Sequence, residues 1–114
     1  MVPFLDVSAA YQELKDDIDQ AVQTVLQSGL YIMGPEVEDF ETDWAKYCGT
    51  SHAVGVANGL DAIILSLRAL GIGRGDEVIV PSNTYIATWL AVSAVGAMAV
   101  PVEPIPATYN FDPE

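Results

Sequence analysis

Three short apolar segments, uninterrupted by alternating polar residues, most strongly restrict what this chain can fold into. They are "HAVGVA" (52–57), "DEVIVP" (76–81) and "AMAVPVE" (97–103). Two segments of helical periodicity separate them, at 58–71 and 82–96, and each ends in glycine. Continuous apolar strands separated by helices are typical of a parallel sheet that is covered on both faces. The sequence therefore predicts a βαβαβ unit of the α/β class, with a ligand crevice at the carboxyl ends of its strands.

Two amphipathic helices are predicted to precede this unit. A short extended arm, "VPFLDVS", leads into apolar residues at helical spacing over about 8–28, and a glycine follows as the stop signal. The second helix begins at Pro35, which suits a first helical turn, and ends at Gly49. We predict that Trp44 and Tyr47, on the apolar stripe of this helix, are core residues rather than cofactor ligands.

The charge of the chain excludes several classes of partner. The formal net charge is -12, with 16 acidic residues against 4 basic ones. Such an acidic surface repels DNA, RNA and anionic lipid, so neither nucleic acid nor a membrane surface is an expected partner. Because Cys48 is the single cysteine and His52 the single histidine, neither a disulfide framework nor a zinc site is expected. The N-terminus lacks the features of a signal peptide, and we predict a cytoplasmic location.

The junction after the first predicted strand is a candidate phosphate site. The turn formed by residues 58–61, "NGLD", would present unpaired backbone amides at a helix N-terminus, where the helix dipole favours an anion. Gly59 has no Cβ to hinder a close approach, whereas the Asp61 carboxylate would repel a phosphate. The turn lacks the glycine spacing and the lysine of a nucleotide-binding loop. From these residues alone, a plain tight turn is favoured over a phosphate site.

Tyr85 lies just past the second predicted strand, at the same edge of the sheet. A flat ring at that position can overhang the crevice and stack on a flat, phosphorylated, aromatic cofactor. A buried position in the hydrophobic core would account for a tyrosine at position 85 equally well. Trp89, one helical turn further along, is predicted to be a packing residue.

Three segments together resemble one known family. "GPEVEDFETDWAKYCG", "GVANGLDAIILSLRALGIGRGDEVIVPSNTYIATWLAV" and "FDPE" are similar to the N-terminal part of the DegT/StrS family of pyridoxal-phosphate-dependent sugar-nucleotide aminotransferases. The resemblance extends over essentially the whole chain. "NGLDA" and "NTYIA" are most similar to the branch that acts on nucleotide-linked keto-deoxyhexoses. The resemblance to the family implies the aspartate-aminotransferase (type I) fold. Residues 1–50 would form an arm and two helices, and residues 51–114 an incomplete start of the cofactor-binding large domain.

The resemblance also implies roles for particular residues. The backbone amides of Gly59, Leu60 and Asp61 would bind the phosphate of pyridoxal 5'-phosphate, and Tyr85 would stack on its pyridine ring. Tyr31, in "SGLYIMG", would be a substrate-side residue. The complete enzyme would transfer an amino group, usually from glutamate, to a nucleotide-linked keto-sugar in deoxyaminosugar or polysaccharide biosynthesis. It would be a homodimer with shared active sites.

The chain departs from the family in one respect that concerns the chemistry. Pyridoxal-phosphate enzymes need a lysine that carries the cofactor and an acid beside the pyridine nitrogen. Neither Lys15 nor Lys46 matches the lysine of the family, and no carboxylate matches the acid. Asp112-Pro113-Glu114 reads as a helix start with nothing after it. We therefore expect the first third of an aminotransferase, inactive by itself. The alternatives are a non-catalytic truncated relative and a small nucleotide-binding α/β domain.

Overall fold

The computed structural model describes residues 4–112, and the chain divides after Gly55 into two compact units. The N-terminal unit ends at Gly55 and the C-terminal unit begins at Val56. The sequence predicted a boundary five residues earlier, after residue 50. The helix start predicted at 112–114 depends on Pro113 and Glu114, which lie outside the described residues.

Three helices make up most of the N-terminal unit: α1 (Ala9–Glu13), α2 (Lys15–Ser28) and α3 (Pro35–Cys48). The sequence predicted a single helix over about 8–28, whereas the structure has two helices in this range, interrupted at one residue. Leu14, with φ -110° and ψ 24°, leaves the helical conformation and separates α1 from α2. Leucine is a good helix former, so local propensity does not signal the break.

Glycines end α2 and α3, as predicted. Gly29 and Gly49 adopt left-handed conformations, with φ values of 70° and 69°. An L-residue with a Cβ is strained in that region, so glycine is the usual residue after a helix C-terminus. Pro35 occupies the first turn of α3, also as predicted.

The aromatic residues of α3 are not core residues, contrary to the prediction. Trp44 is 50% exposed and Tyr47 is 82% exposed. Phe40, Trp44 and Tyr47 stack along the helix, with centroid distances of 5.9 and 5.5 Å between successive rings. The three helices bury Ala45 alone among their described residues, so the unit has no core that could receive these rings.

The segment 52–57, predicted as the first strand, is not a strand. A strand needs a neighbour whose backbone groups it can pair with, and this segment finds none within residues 4–112. The amide of Gly55 instead donates to Glu41 Oε1 at 2.6 Å. The His52 carbonyl accepts from the hydroxyl of Thr50 at 3.0 Å. The predicted three-stranded sheet is therefore corrected to two strands.

The C-terminal unit contains α4 (Gly59–Ala69), β1 (Glu77–Pro81), α5 (Ile86–Val95) and β2 (Met98–Val102). The two strands are parallel, with Val80 opposite Pro101 in the register. All four elements were predicted, and the mixed α/β class is confirmed. Because β1 and β2 are parallel and joined by α5, the N-terminus of α5 lies at the carboxyl end of β1.

The core of this unit lies between the sheet and the two helices. Leu67 of α4, Val80 of β1 and Val92 of α5 form a buried cluster. Val80 and Val92 are the largest side chains that are completely enclosed, at 2% and 1% exposure. Trp89 packs against the cluster, which confirms its predicted packing role. This cluster holds α4 and α5 side by side, so their first turns are neighbours.

A loop after β2 returns to the turn before α5. Pro104 and Phe111 form an isolated antiparallel bridge, and the amide of Ile105 donates to the carbonyl of Asn110 at 2.9 Å. Tyr109 has a φ of 57°, which is uncommon for a residue other than glycine. The side-chain amide of Asn83 donates to the Tyr109 carbonyl at 3.3 Å and joins the loop to that turn.

Candidate functional site

A cleft of about 530 Å³ lies where the first turns of α4 and α5 meet. Its described lining residues are uncharged, and most are apolar. They are Asn58, Gly59, Leu60, Ile63, Tyr85, Ile86, Ala87 and Leu90. The positive ends of two helix dipoles therefore border one cleft, which favours an anionic group in it.

Asn58 determines how α4 begins. It is the N-cap residue, in an extended conformation with φ -167° and ψ 174°. Its side-chain oxygen accepts the amide hydrogen of Asp61 at 2.9 Å, and its backbone carbonyl accepts that of Ala62 at 3.1 Å. Asparagine is among the residues preferred at this position because its side chain satisfies one of the unpaired amides of the first turn.

Two amides of the predicted phosphate turn remain available. Within residues 4–112, the amides of Gly59 and Leu60 donate to no acceptor, whereas that of Asp61 is bound by Asn58. Of the three predicted amide donors, the structure therefore leaves two for a ligand. The role of all three residues in phosphate binding stays a prediction.

The position of Gly59 has space for a ligand. A Cβ built on Gly59 would meet no atom within 4 Å, and its backbone is not left-handed. Neither packing nor strain within the described chain therefore requires glycine here. The missing side chain leaves room beside the two available amides.

Tyr85 is the N-cap residue of α5 and is 79% exposed. The structure thus excludes the core position that explained this residue equally well at the level of sequence. Its backbone carbonyl accepts the amide hydrogen of Thr88 at 3.0 Å, and the Thr88 hydroxyl lies 2.8 Å from the hydroxyl of Thr84. These bonds fix the turn, while the ring of Tyr85 borders the cleft.

Tyr31 belongs to the N-terminal unit, unlike the other predicted site residues. It lies in the connection after α2, is 66% exposed, and its hydroxyl donates to the Leu26 carbonyl at 3.3 Å. Its role on the substrate side stays a prediction.

The lining of the cleft fits part of a pyridoxal phosphate molecule. Free amides at a helix N-terminus suit its phosphate, and the Tyr85 ring together with apolar residues such as Ile63 and Leu90 suits its flat pyridine ring. No lysine is among the described lining residues. Lys15 is bound to Asp19 and to the hydroxyl of Tyr11 in the N-terminal unit.

Several residues of the cleft were missed at the level of sequence. Asn58 was not recognised as the helix cap, although an asparagine directly before a helical pattern is a known start signal. Ile86 and Leu90 are four residues apart on α5, a spacing that places both on one face of a helix. That spacing could have identified them, but only tertiary packing shows that this face borders the cleft.

Comparison with known proteins covers nearly the whole chain. Residues 12–114 match the DegT/DnrJ/EryC1/StrS aminotransferase family. The chain is 62% identical over 112 residues to the dTDP-3-amino-3,4,6-trideoxy-alpha-D-glucose transaminase of Streptomyces venezuelae, covering 98% of this chain and 30% of that protein.

Two solved structures extend this comparison. The S. venezuelae DesV structure in complex with a ketimine intermediate superposes with a TM-score of 0.93 at 62% identity, covering 98% of this chain and 30% of that one. NtdA from Bacillus subtilis with bound cofactor PMP gives a TM-score of 0.77 at 38% identity, covering 90% of this chain and 23% of that one. The chain thus spans about 30% of the length of the S. venezuelae relative and 23% of NtdA.

Proposed function

Because the chain belongs to the DegT/DnrJ/EryC1/StrS aminotransferase family, we propose that it forms the N-terminal part of a pyridoxal-phosphate-dependent transaminase. The whole protein has the aspartate-aminotransferase fold, and it moves an amino group from an amino acid, glutamate, to a nucleotide-linked keto-sugar. The observation that carries this proposal is the cleft, in which the free amides of Gly59 and Leu60 and the exposed ring of Tyr85 border one space.

Each part of the cleft has a separate task in this proposal. The amides of Gly59 and Leu60 donate to the cofactor phosphate, and the helix dipole of α4 adds to that attraction. The ring of Tyr85 covers one face of the pyridine. When bound, pyridoxal phosphate supplies the aldehyde that carries the amino group between donor and acceptor. Apolar lining residues such as Ile63 and Leu90 contact the pyridine ring.

The remaining chemical groups come from outside these residues. No lysine is among the described residues that line the cleft, and neither Lys15 nor Lys46 matches the lysine of the family. We therefore assign the covalent attachment of the cofactor, and the acid beside its ring nitrogen, to residues beyond these 114. The 114-residue chain alone is not expected to transaminate.

We infer the class of substrate from relatives of high sequence identity. The S. venezuelae protein, at 62% identity, is by its name a transaminase for a dTDP-linked 3-amino sugar. We therefore propose a dTDP-linked 3-keto-6-deoxyhexose as acceptor, with Tyr31 on the sugar side, for the synthesis of deoxyaminosugars.

We also propose a cytoplasmic homodimer. No helix in residues 4–112 has both the length and the apolar character needed to cross a membrane.

A direct assay tests this proposal on the whole protein. The protein is incubated with pyridoxal phosphate, glutamate and a dTDP-linked 3-keto-6-deoxyhexose, and mass spectrometry follows the amino sugar and 2-oxoglutarate. Equal amounts of both products are expected. If the protein retains the cofactor after borohydride treatment but forms no amino sugar from any keto-sugar, the aminotransferase proposal fails and a non-catalytic relative is indicated. Tight nucleotide binding without the cofactor would indicate the nucleotide-binding alternative.

A further inference from the structure

Asp61 presents a difficulty for a phosphate site at the start of α4. Its carboxylate is in the first helical turn, directly after the two free amides, where it would repel a phosphate. Asp61 is nevertheless not among the residues that line the cleft, whereas Asn58, Gly59 and Leu60 are.

Asn58 accounts for this arrangement through two reciprocal hydrogen bonds. Its Oδ1 accepts from the backbone amide of Asp61 at 2.9 Å, and its Nδ2 donates to Oδ2 of the Asp61 carboxylate at 3.0 Å. The first bond caps α4. The second bond holds the carboxylate in one rotamer, against the side chain of the cap residue. An uncapped turn would satisfy neither group in this way.

We propose that Asn58 and Asp61 form a positioning pair that keeps the Gly59 and Leu60 amides available to the cofactor phosphate and holds the Asp61 carboxylate off it. The inference rests on the proposed function, because it assumes that a phosphate binds at this turn. The pair contains one carboxylate and one neutral amide. The neutral asparagine therefore restrains the acid without adding a charge to the cleft.

The test compares the affinities of the whole protein for pyridoxal phosphate and for pyridoxal, which lacks the phosphate. Asn58→Gly removes both side-chain bonds, yet glycine is nearly as good as asparagine at an N-cap, so α4 is retained. We expect the ratio of the affinity for pyridoxal phosphate to that for pyridoxal to fall roughly tenfold. A preference equal to that of the unmodified protein would overturn the proposal.

A double variant separates positioning from simple capping. In Asn58→Gly/Asp61→Ala the released carboxylate is gone, so the preference for the phosphorylated ligand is expected to recover. If the residue acted only as a helix cap, the double variant would be no better than the single one, and the proposal would be wrong. Asp61→Ala alone is the matched control and should keep or increase the preference.

Measurements on the unmodified protein distinguish failure of the phosphate site from failure of the positioning pair. If it binds pyridoxal as tightly as pyridoxal phosphate, the phosphate site itself is wrong, and the proposed function loses its structural support. If it prefers pyridoxal phosphate and Asn58→Gly keeps that preference undiminished, the positioning pair alone is wrong.

Discussion

Gly59 illustrates how a single residue can serve a ligand rather than the fold. A Cβ at this position would meet no other atom of the described chain within 4 Å, and the backbone is not left-handed. In contrast, Gly29, Gly49 and Gly96 end helices with φ between 69° and 81°, where a side chain would be strained. We therefore attribute the glycine at position 59 to the ligand space in the cleft.

Gly59→Ala is expected to separate stability from binding. Alanine at a compatible backbone position restricts the unfolded chain and stabilises a protein by about 0.4–1 kcal/mol. The new methyl group enters the space beside the amides, and we expect the affinity for pyridoxal phosphate to fall about tenfold. Thermal unfolding and cofactor titration of the whole protein measure the two effects. Ser66→Ala, on the same helix but outside the cleft, is the control and should leave the affinity unchanged; unchanged affinity in Gly59→Ala would contradict the prediction.

Tyr85 is expected to act through its ring alone. Its hydroxyl has no hydrogen-bond partner in the part of the chain that the structure describes. Tyr85→Phe should therefore bind pyridoxal phosphate as the unmodified protein does. Tyr85→Ala loses the stacking, worth about 0.5–1.5 kcal/mol, and should bind roughly two- to twelvefold more weakly. Cofactor titration measures both, and equal affinities for the two variants would show that the ring does not stack.

At the scale of elements, side chains connect α1 and α2 across the break at Leu14. Lys15 donates to Asp19 and to the hydroxyl of Tyr11, and that hydroxyl donates to Asp19 Oδ1 at 2.9 Å. Hydrogen bonds from Lys15 and then Tyr11 lower the pKa of the Asp19 carboxyl. The bond to Asp19 and then the one to Tyr11 raise the pKa of Lys15.

These pKa shifts give a prediction with a definite sign. Because the pKa of Asp19 is lowered in the folded state, its contribution to stability is complete above the ordinary pKa of an aspartate and is lost as the pH falls through the folded-state value. Lys15→Met removes the larger cause and should raise the pKa of Asp19, but not to its ordinary value, since Tyr11 still donates. Carboxyl-carbon NMR titration of the whole protein checks this. Lys46→Met, on another helix, is the control, and a pKa of Asp19 unaffected by Lys15→Met would refute the assignment.

At the scale of the whole molecule, each of the two units leaves much of its apolar surface exposed. Among the described residues, the buried hydrophobic side chains are Ala45, Leu67, Val80, Ala91 and Val92. The exposed apolar residues include the aromatic stack of α3 and Ile79 on the sheet, at 56% exposure. Apolar surface on this scale is normally covered by other parts of a protein.

We therefore expect the isolated 114-residue chain to behave as an incompletely packed state. It should bind the dye ANS, associate in size-exclusion chromatography and unfold without a sharp transition, because exposed apolar faces favour association. Its net charge of -12 opposes aggregation but does not supply a core. The whole protein is the control. A monomeric chain that unfolds cooperatively in calorimetry and does not bind ANS would contradict this expectation.

Local signals in the sequence were sufficient for the glycine-terminated ends of α2, α3 and α5 and for β1 and β2, but not for the break between α1 and α2. A left-handed residue after a helix requires glycine, and a short apolar run between turn residues suits a buried strand, so both can be recognised without knowing the fold. The glycine turn at 58–61 and the order of the motifs likewise identified the family.

Pairing and burial, in contrast, depend on residues far apart in the chain. The segment 52–57 has the composition of a strand but no neighbour to pair with, and Trp44 lies on an apolar stripe that nothing in its own unit covers. Only packing of α4 against α5 brings Asn58 and Tyr85 to one cleft, because the core around Val80 and Val92 holds their first turns together. The sequence by itself determined the positions of α3, α4, β1, α5 and β2 and of the candidate residues, while tertiary packing decided which residues share a site.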